Sequence, residues 1–145
     1  MRKIALILVV LMMLSLCGCS ITNFFHKDPI FQVENLPKEL SSRGFTDDIT
    51  CTIRIDDVKF SYQESFGRHE LTITLYGMVT YKNTDSYISL DSFTYKICNS
   101  QGYIEEKGTF YLDGFDQGDK FKEEVTVSFE ADPDETYTIE LCGSI

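Results

Sequence analysis

From residue 50 onward, apolar residues in this chain recur at every second position through most of its length. Cys51, Ile53 and Ile55 alternate with Thr50, Thr52, Arg54 and Asp56, the pattern of a strand with one face in a core and the other in water. The phase breaks at Asp56-Asp57 and resumes with Val58, Phe60 and Tyr62, which predicts a β-bulge at the acidic pair. Leu71, Ile73, Leu75, Gly77, Val79 and Tyr81 form a second long alternation, and its other face carries Thr72, Thr74, Tyr76, Met78 and Thr80, mostly good strand formers. Shorter runs follow at Phe93, Tyr95 and Ile97, at Tyr103-Ile104 with Gly108 to Leu112, at Val125, Val127 and Phe129, and at Tyr137, Ile139 and Leu141. Turn-forming residues separate these runs at 82–86, 99–102, 113–119 and 131–135. No stretch carries the 3.6-residue period of an amphipathic helix. These features predict an all-β domain over 48–145, a two-sheet antiparallel immunoglobulin-like sandwich of about seven strands. The chain has no Trp, so it lacks the Cys…Trp…Cys mark of antibody-type domains.

The N-terminal pattern is different. Met1-Arg2-Lys3 precedes an unbroken apolar run from Ile4 to Met13, extended by Leu14-Ser15-Leu16-Cys17. A spanning helix needs about 20 apolar residues, and a shorter run behind positive charges is the pattern of a secretory signal. The run ends Leu16-Cys17-Gly18-Cys19-Ser20, with Leu at −3, small residues at −2 and −1 and a Cys at +1. This resembles the lipobox of bacterial lipoproteins. The resemblance implies cleavage before Cys19, diacylglyceryl attachment to its sulfur, and residues 1–18 as a signal peptide. Cys17 fits less well, because bulky Leu16 would stand at its −1 position. Residues 19–47 read as a tether: the apolar patches at 23–26 and 30–33 lack periodicity, and Pro29 and Pro37 interrupt them. Pro37 is suited to open a single helical turn, and the aromatics of the tether are expected to dock on the domain.

Charge narrows the partners. The formal net charge is −10, and the leader contributes Arg2 and Lys3, so the rest is more acidic still. Nucleic acid demands a basic footprint, which is missing. Anionic headgroups would repel the domain rather than hold it flat. The expected partners are the membrane, through the lipid, and an envelope protein or glycan. Three cysteines follow Cys19. Strand parity places Cys51 inward and Cys98 and Cys142 outward. A Cys98–Cys142 disulfide, a Cys51–Cys142 disulfide and three reduced thiols all stand as readings.

The passage from Gly77 to Thr84, Gly-Met-Val-Thr-Tyr-Lys-Asn-Thr, is similar to a strand and turn of small extracytoplasmic immunoglobulin-like domains, the FxLYD group among them. Phe93 to Gly102 resembles their next strand and Asp-x-x-Gly turn, with Asn99 in place of the Asp. Leu112, Gly118 and Phe121 resemble a later passage of the same domains, so the likeness covers residues 71–130. It implies a sandwich carried on lipoproteins of Gram-positive bacteria and lends no catalytic residues.

Few residues are candidates for chemistry. Asp113, Asp116 and Asp119 are interleaved with Gly114 and Gly118. The residue types suit calcium, but the spacing is not that of an EF-hand and equally suits a turn. His26 and His69 have no partner at ligand or triad spacing. Glu105-Glu106 and Glu123-Glu124 are neighbours on strands, so each pair points to opposite faces and cannot converge on one substrate atom. With 8 Tyr, 11 Phe and no Trp, most aromatics must fill the core, and Tyr76 and Met78 are the best candidates for an outward ligand surface. The expected function is that of a lipid-anchored extracytoplasmic lipoprotein, a non-enzymatic binding or scaffolding domain without a cofactor. The alternative is a calcium-dependent or catalytic module using the acidic loop 113–119.

Overall fold

A computed structural model of the chain describes residues 27–43, 49–83 and 91–143. Every regular element in these segments is a strand: β1 (Ile30–Val33), β2 (Lys38–Arg43), β3 (Ile49–Ser65), β4 (Arg68–Lys82), β5 (Asp91–Cys98), β6 (Ile104–Leu112), β7 (Lys120–Ser128) and β8 (Thr136–Gly143). They form two four-stranded sheets, ordered β1-β8-β5-β6 and β2-β3-β4-β7. The two inner faces share one core that includes Ile53, Ile55, Leu71, Ile73, Leu75, Phe93, Ile97, Phe110, Ile139 and Leu141. Phe93 and Phe110 stack at its centre with ring centroids 5.4 Å apart. The result is the sandwich that the two-residue period predicts. It is immunoglobulin-like in its layering: β2, β3 and β4 run as a meander, and the β1–β2, β4–β5, β6–β7 and β7–β8 connections each cross between the sheets.

Alternation places most side chains on the expected faces, and two bulges in the β3–β4 ladder shift the phase there. The register slips between Ile55 and Asp57, at the acidic pair where the sequence breaks phase. A second slip pairs Thr52 with Tyr81 and Ile53 with Val79, leaving Thr80 as the extra residue. Its hydroxyl donates to the Thr52 carbonyl at 3.0 Å. This bulge shifts the phase, so Tyr81, expected inward, is 45% exposed.

The tether is shorter than the sequence suggests. Residues 30–43, assigned to it by the lack of periodicity, supply an edge strand to each sheet. β1 pairs parallel with β8, from Ile30 opposite Thr136 to Val33 opposite Ile139. β2 pairs antiparallel with β3, from Lys38 opposite Ile55. No helical turn follows Pro37: the Leu36–Pro37 bond is cis, Asn35 takes φ 60°, and the chain steps from one sheet to the other. Buried Leu40 and Ser42 then face the core, and the Ser42 hydroxyl meets that of Thr50 at 3.2 Å. Phe31 does dock as expected, on Phe60, Tyr62, Phe129 and Tyr137 at centroid distances of 5.5–6.2 Å.

Candidate functional site

Tyr76 and Met78 lie on β4 between buried Leu75, Gly77 and Val79, so both point away from the core. β4 is an inner strand, braced by β3 on one side and β7 on the other. The register places Tyr76 between Asp57 and Lys122, and Met78 between Arg54 and Lys120. Gly77 between them is required by packing. A Cβ there would stand 2.2 Å from the Arg54 carbonyl oxygen and 2.7 Å from the Phe121 ring. That ring covers the core side of the strand at the point where Tyr76 and Met78 emerge on the other side.

The Lys59 ammonium stands 5.0 Å from the centroid of the Tyr76 ring, a cation–π contact. Around it, Arg54 pairs with Asp56 at 2.7 Å and Lys122 with Glu124 at 2.6 Å. Each carboxylate, by hydrogen bond first and charge second, holds its cation above its ordinary pKa. Hydroxyl pairs flank the patch, Thr72 with Thr126 at 3.2 Å and Ser41 with Thr52 at 3.0 Å. The face therefore offers one ring, one thioether, fixed cations and rows of hydroxyls on a stiff support. Such a surface can stack and hydrogen-bond with a flat polar partner.

The acidic loop is built as a turn. Gly114 and Gly118 take positive φ, 76° and 96°. Gly118 N–H donates to the Val79 carbonyl and Val79 N–H to the Asp119 carbonyl, which hangs the loop on β4. The Asp119 carboxylate accepts the Asp116 N–H at 2.9 Å, so it closes the turn on itself. Asp113, Asp116 and Asp119 are not drawn together: among the described residues no three His, Cys, Asp or Glu side chains gather where they could hold an ion.

The Cys98–Cys142 pairing is overturned by register. Cys98 lies opposite Thr138, and Cys142 lies opposite Thr94. Four residues of offset are roughly 13 Å along a strand, more than twice the Cα separation of a disulfide. The Lys96–Glu140 ion pair occupies the space between them. Both thiols are free. Burial first and Glu140 second push the Cys98 thiol above its usual pKa. Cys51 is buried in the core on β3, whereas Cys142 alternates with buried Leu141 and lies on the outer face of β8, which excludes the Cys51–Cys142 pairing as well. Cys19 and His26 lie outside the described residues.

His69 has a partner that spacing did not show. The Ala131 N–H donates to the Tyr62 hydroxyl at 3.1 Å, and that hydroxyl lies 3.0 Å from His69 Nδ1. Tyr137 does a similar job, its hydroxyl accepting the Asp132 N–H at 2.9 Å. That is the pattern of a tyrosine corner. Together the two tyrosines pin the β7–β8 turn. They belong to an aromatic cluster with Phe31, Phe60 and Phe129 that closes one end of the sandwich. The sequence hints at this cluster only through the apolar patch at 30–33. Comparison of the chain with models of known families, with curated proteins and with solved structures finds no match.

Proposed function

We propose that the chain is a bacterial lipoprotein, held at the extracytoplasmic face of a cell membrane by lipid on Cys19, and that its sandwich is a non-enzymatic binding or scaffolding module of the envelope. The observation that carries this reading is the leader: Arg2-Lys3, an apolar run too short to span, and Leu16-Cys17-Gly18-Cys19. Two or more acyl chains give stable attachment, since each buried methylene contributes about 0.8 kcal/mol. The FxLYD-like passages favour a Gram-positive host. The binding half of the reading is supported by the outward Tyr76–Met78 row, which is supported from below by Phe121 against Gly77 and framed by Lys59, Arg54 and Lys122. An envelope protein or a glycan suits a surface of one ring, cations and hydroxyls.

Metabolic labelling of cells with a palmitate analogue tests the anchor. The wild-type chain takes up label and a Cys19→Ala chain does not; equal labelling of the two overturns the anchor. Capture from membrane extracts by the wild-type chain and by a Tyr76→Ala, Met78→Ala double variant tests the face. An identical set of captured partners means that the face is not the binding surface.

A further inference from the structure

Along the outer edge of β3, from Asp57 to Ser65, no strand among the described residues pairs with the sheet. β2 covers β3 only as far as Ile55, and β1 pairs with β8 in the other sheet. Among the described residues no strand lies along this edge. The two other long edges are guarded. β6 and β7 turn Glu106 and Glu123 toward the core side, and an inward charge makes strand addition costly. The bare stretch of β3 turns Phe60 and Tyr62 inward, carries Glu64 on the same side only at its exposed far end, and contains no proline. At its lip an open cavity of about 350 Å³ is bordered by Asp28, Pro29, Phe31, Phe60 and Tyr62.

We propose that this notch is the interface of a two-fold homodimer, filled by the same segment of a second copy. Strand addition supplies main-chain hydrogen bonds along the edge and buries the aromatic lip. The register follows from parity and space. A two-fold axis perpendicular to the sheet keeps the core-facing side chains of both copies on one side only if a residue lies opposite one of like parity. Centred on Phe60, the contact would drive the hairpin tip of the second copy into β2 at Lys38, which pairs with Ile55. Centred on Ser61, the second copy's Ser65 stops opposite Asp57, and its tip clears β2. Phe60 of each copy then faces Tyr62 of the other, Lys59 faces Gln63, Val58 faces the exposed Glu64, and Ser61 faces itself. No like charges oppose, and two aromatic cross-strand pairs form. The notch is as long as the strand that fills it, because the two are the same segment.

The hairpin tip fits this reading. Phe66 and Gly67 form the two-residue loop between β3 and β4, with φ of 50° and 73°. Such a loop favours Asn-Gly, since φ above zero strains a bulky residue. Phe66 is nonetheless fully exposed there. In the Ser61-centred dimer it arrives beside Leu36–Pro37 of the other copy, where the chain crosses between sheets, and an apolar ring gains contact.

Sedimentation of the full chain in mild detergent tests the proposal. The expected protein mass is twice that of one processed chain. Ser61→Lys, which opposes two ammonium groups at the axis, is expected to halve the mass while leaving the circular dichroism spectrum unchanged. Mixing Ser61→Lys with Ser61→Asp chains is expected to restore the dimer. Ser61→Cys is expected to cross-link into dimers on oxidation well above the wild-type background, and Thr126→Cys, on the outer face of β7, is not. A wild-type chain that stays at one chain mass up to ~100 μM overturns the proposal, also when it takes up an extended peptide along β3 instead. A dimer that survives Ser61→Lys and gives no Ser61→Cys cross-link overturns it too.

Discussion

Replacing Phe31 by Ala measures whether the segment before the first long strand is part of the fold or a leash. Phe31 is half-buried, and its ring meets Phe60 and Tyr62 from one sheet at 6.0 and 5.8 Å. It also stacks on Tyr137 of the other sheet at 5.5 Å and meets Phe129 edge-on at 6.2 Å. Removing a fully buried Phe costs about 3–5 kcal/mol. Partial exposure of this ring lowers the transfer part, while each lost aromatic pair adds about 0.5–1.5 kcal/mol beyond area. Because the pairs share one ring and do not add, about 2–3 kcal/mol is expected. For a domain of this size that is a fall in Tm of roughly 8–15 °C. Urea unfolding at equilibrium checks it, with an unchanged m-value showing that the loss is one of stability. Ile30→Ala is the internal control: Ile30 is 52% exposed on the same strand and is expected to shift stability by no more than ~0.5 kcal/mol. If Phe31→Ala costs as little as that control, β1 does not close the sandwich, and the argument from ring geometry fails.

Gly77→Ala is expected to destabilise by about 1–3 kcal/mol, because its Cβ would meet the Arg54 carbonyl and the Phe121 ring; thermal unfolding at wild-type Tm would refute this. Phe66→Asn, at φ 50°, is expected to raise stability by about 1 kcal/mol by relieving a left-handed aromatic residue, and thermal unfolding of the monomeric Ser61→Lys background reads it without the dimer. Glu135 accepts hydrogen bonds from Ser100, one from its backbone N–H at 3.0 Å, and its pKa lies below the ordinary glutamate value. A depressed carboxylate stabilises the fold above the unfolded pKa, and the gain is lost as pH falls through the folded one. The stability difference between wild type and Glu135→Gln is therefore expected to be constant near neutrality and to shrink below about pH 4; a difference independent of pH down to pH 2 contradicts the bond. Maleimide is expected to modify half-buried Cys142 before Cys98, whose thiol burial pushes up, and mass spectrometry of the partly labelled chain would expose the reverse order.

Much of the candidate surface could be read directly because strand geometry is local. Two-residue alternation places Tyr76 and Met78 opposite Leu75 and Val79 whatever the topology. The break at Asp56-Asp57 announces its bulge for the same reason. Asn99 marks its turn through a local bond, its side chain accepting the Gln101 and Tyr103 N–H groups at 3.0 Å. What surrounds Tyr76 was not legible. Lys59 reaches its ring only through the β3–β4 register, and Lys122 only through β7.

The sequence by itself determined the all-β class, most of the inward set from Cys51 to Leu141, the turns at 99–102, 113–119 and 131–135, and the acidic balance. Each of these depends on residue type or on neighbours a few positions away. Tertiary structure decided the rest. It turned residues 30–43 into edge strands, because runs as short as Phe31-Val33 and Leu40-Ser42 have too few alternations to announce a strand and are held by partners about a hundred and about ten residues away. It separated Cys98 from Cys142, since parity sets the face of a side chain but only register sets its neighbour. Among the described residues it also left the outer edge of β3 without a partner strand from Asp57 to Ser65, because residues 30–43 divide between two sheets. Side-chain direction is a property of one strand, whereas register and edges exist only once strands meet.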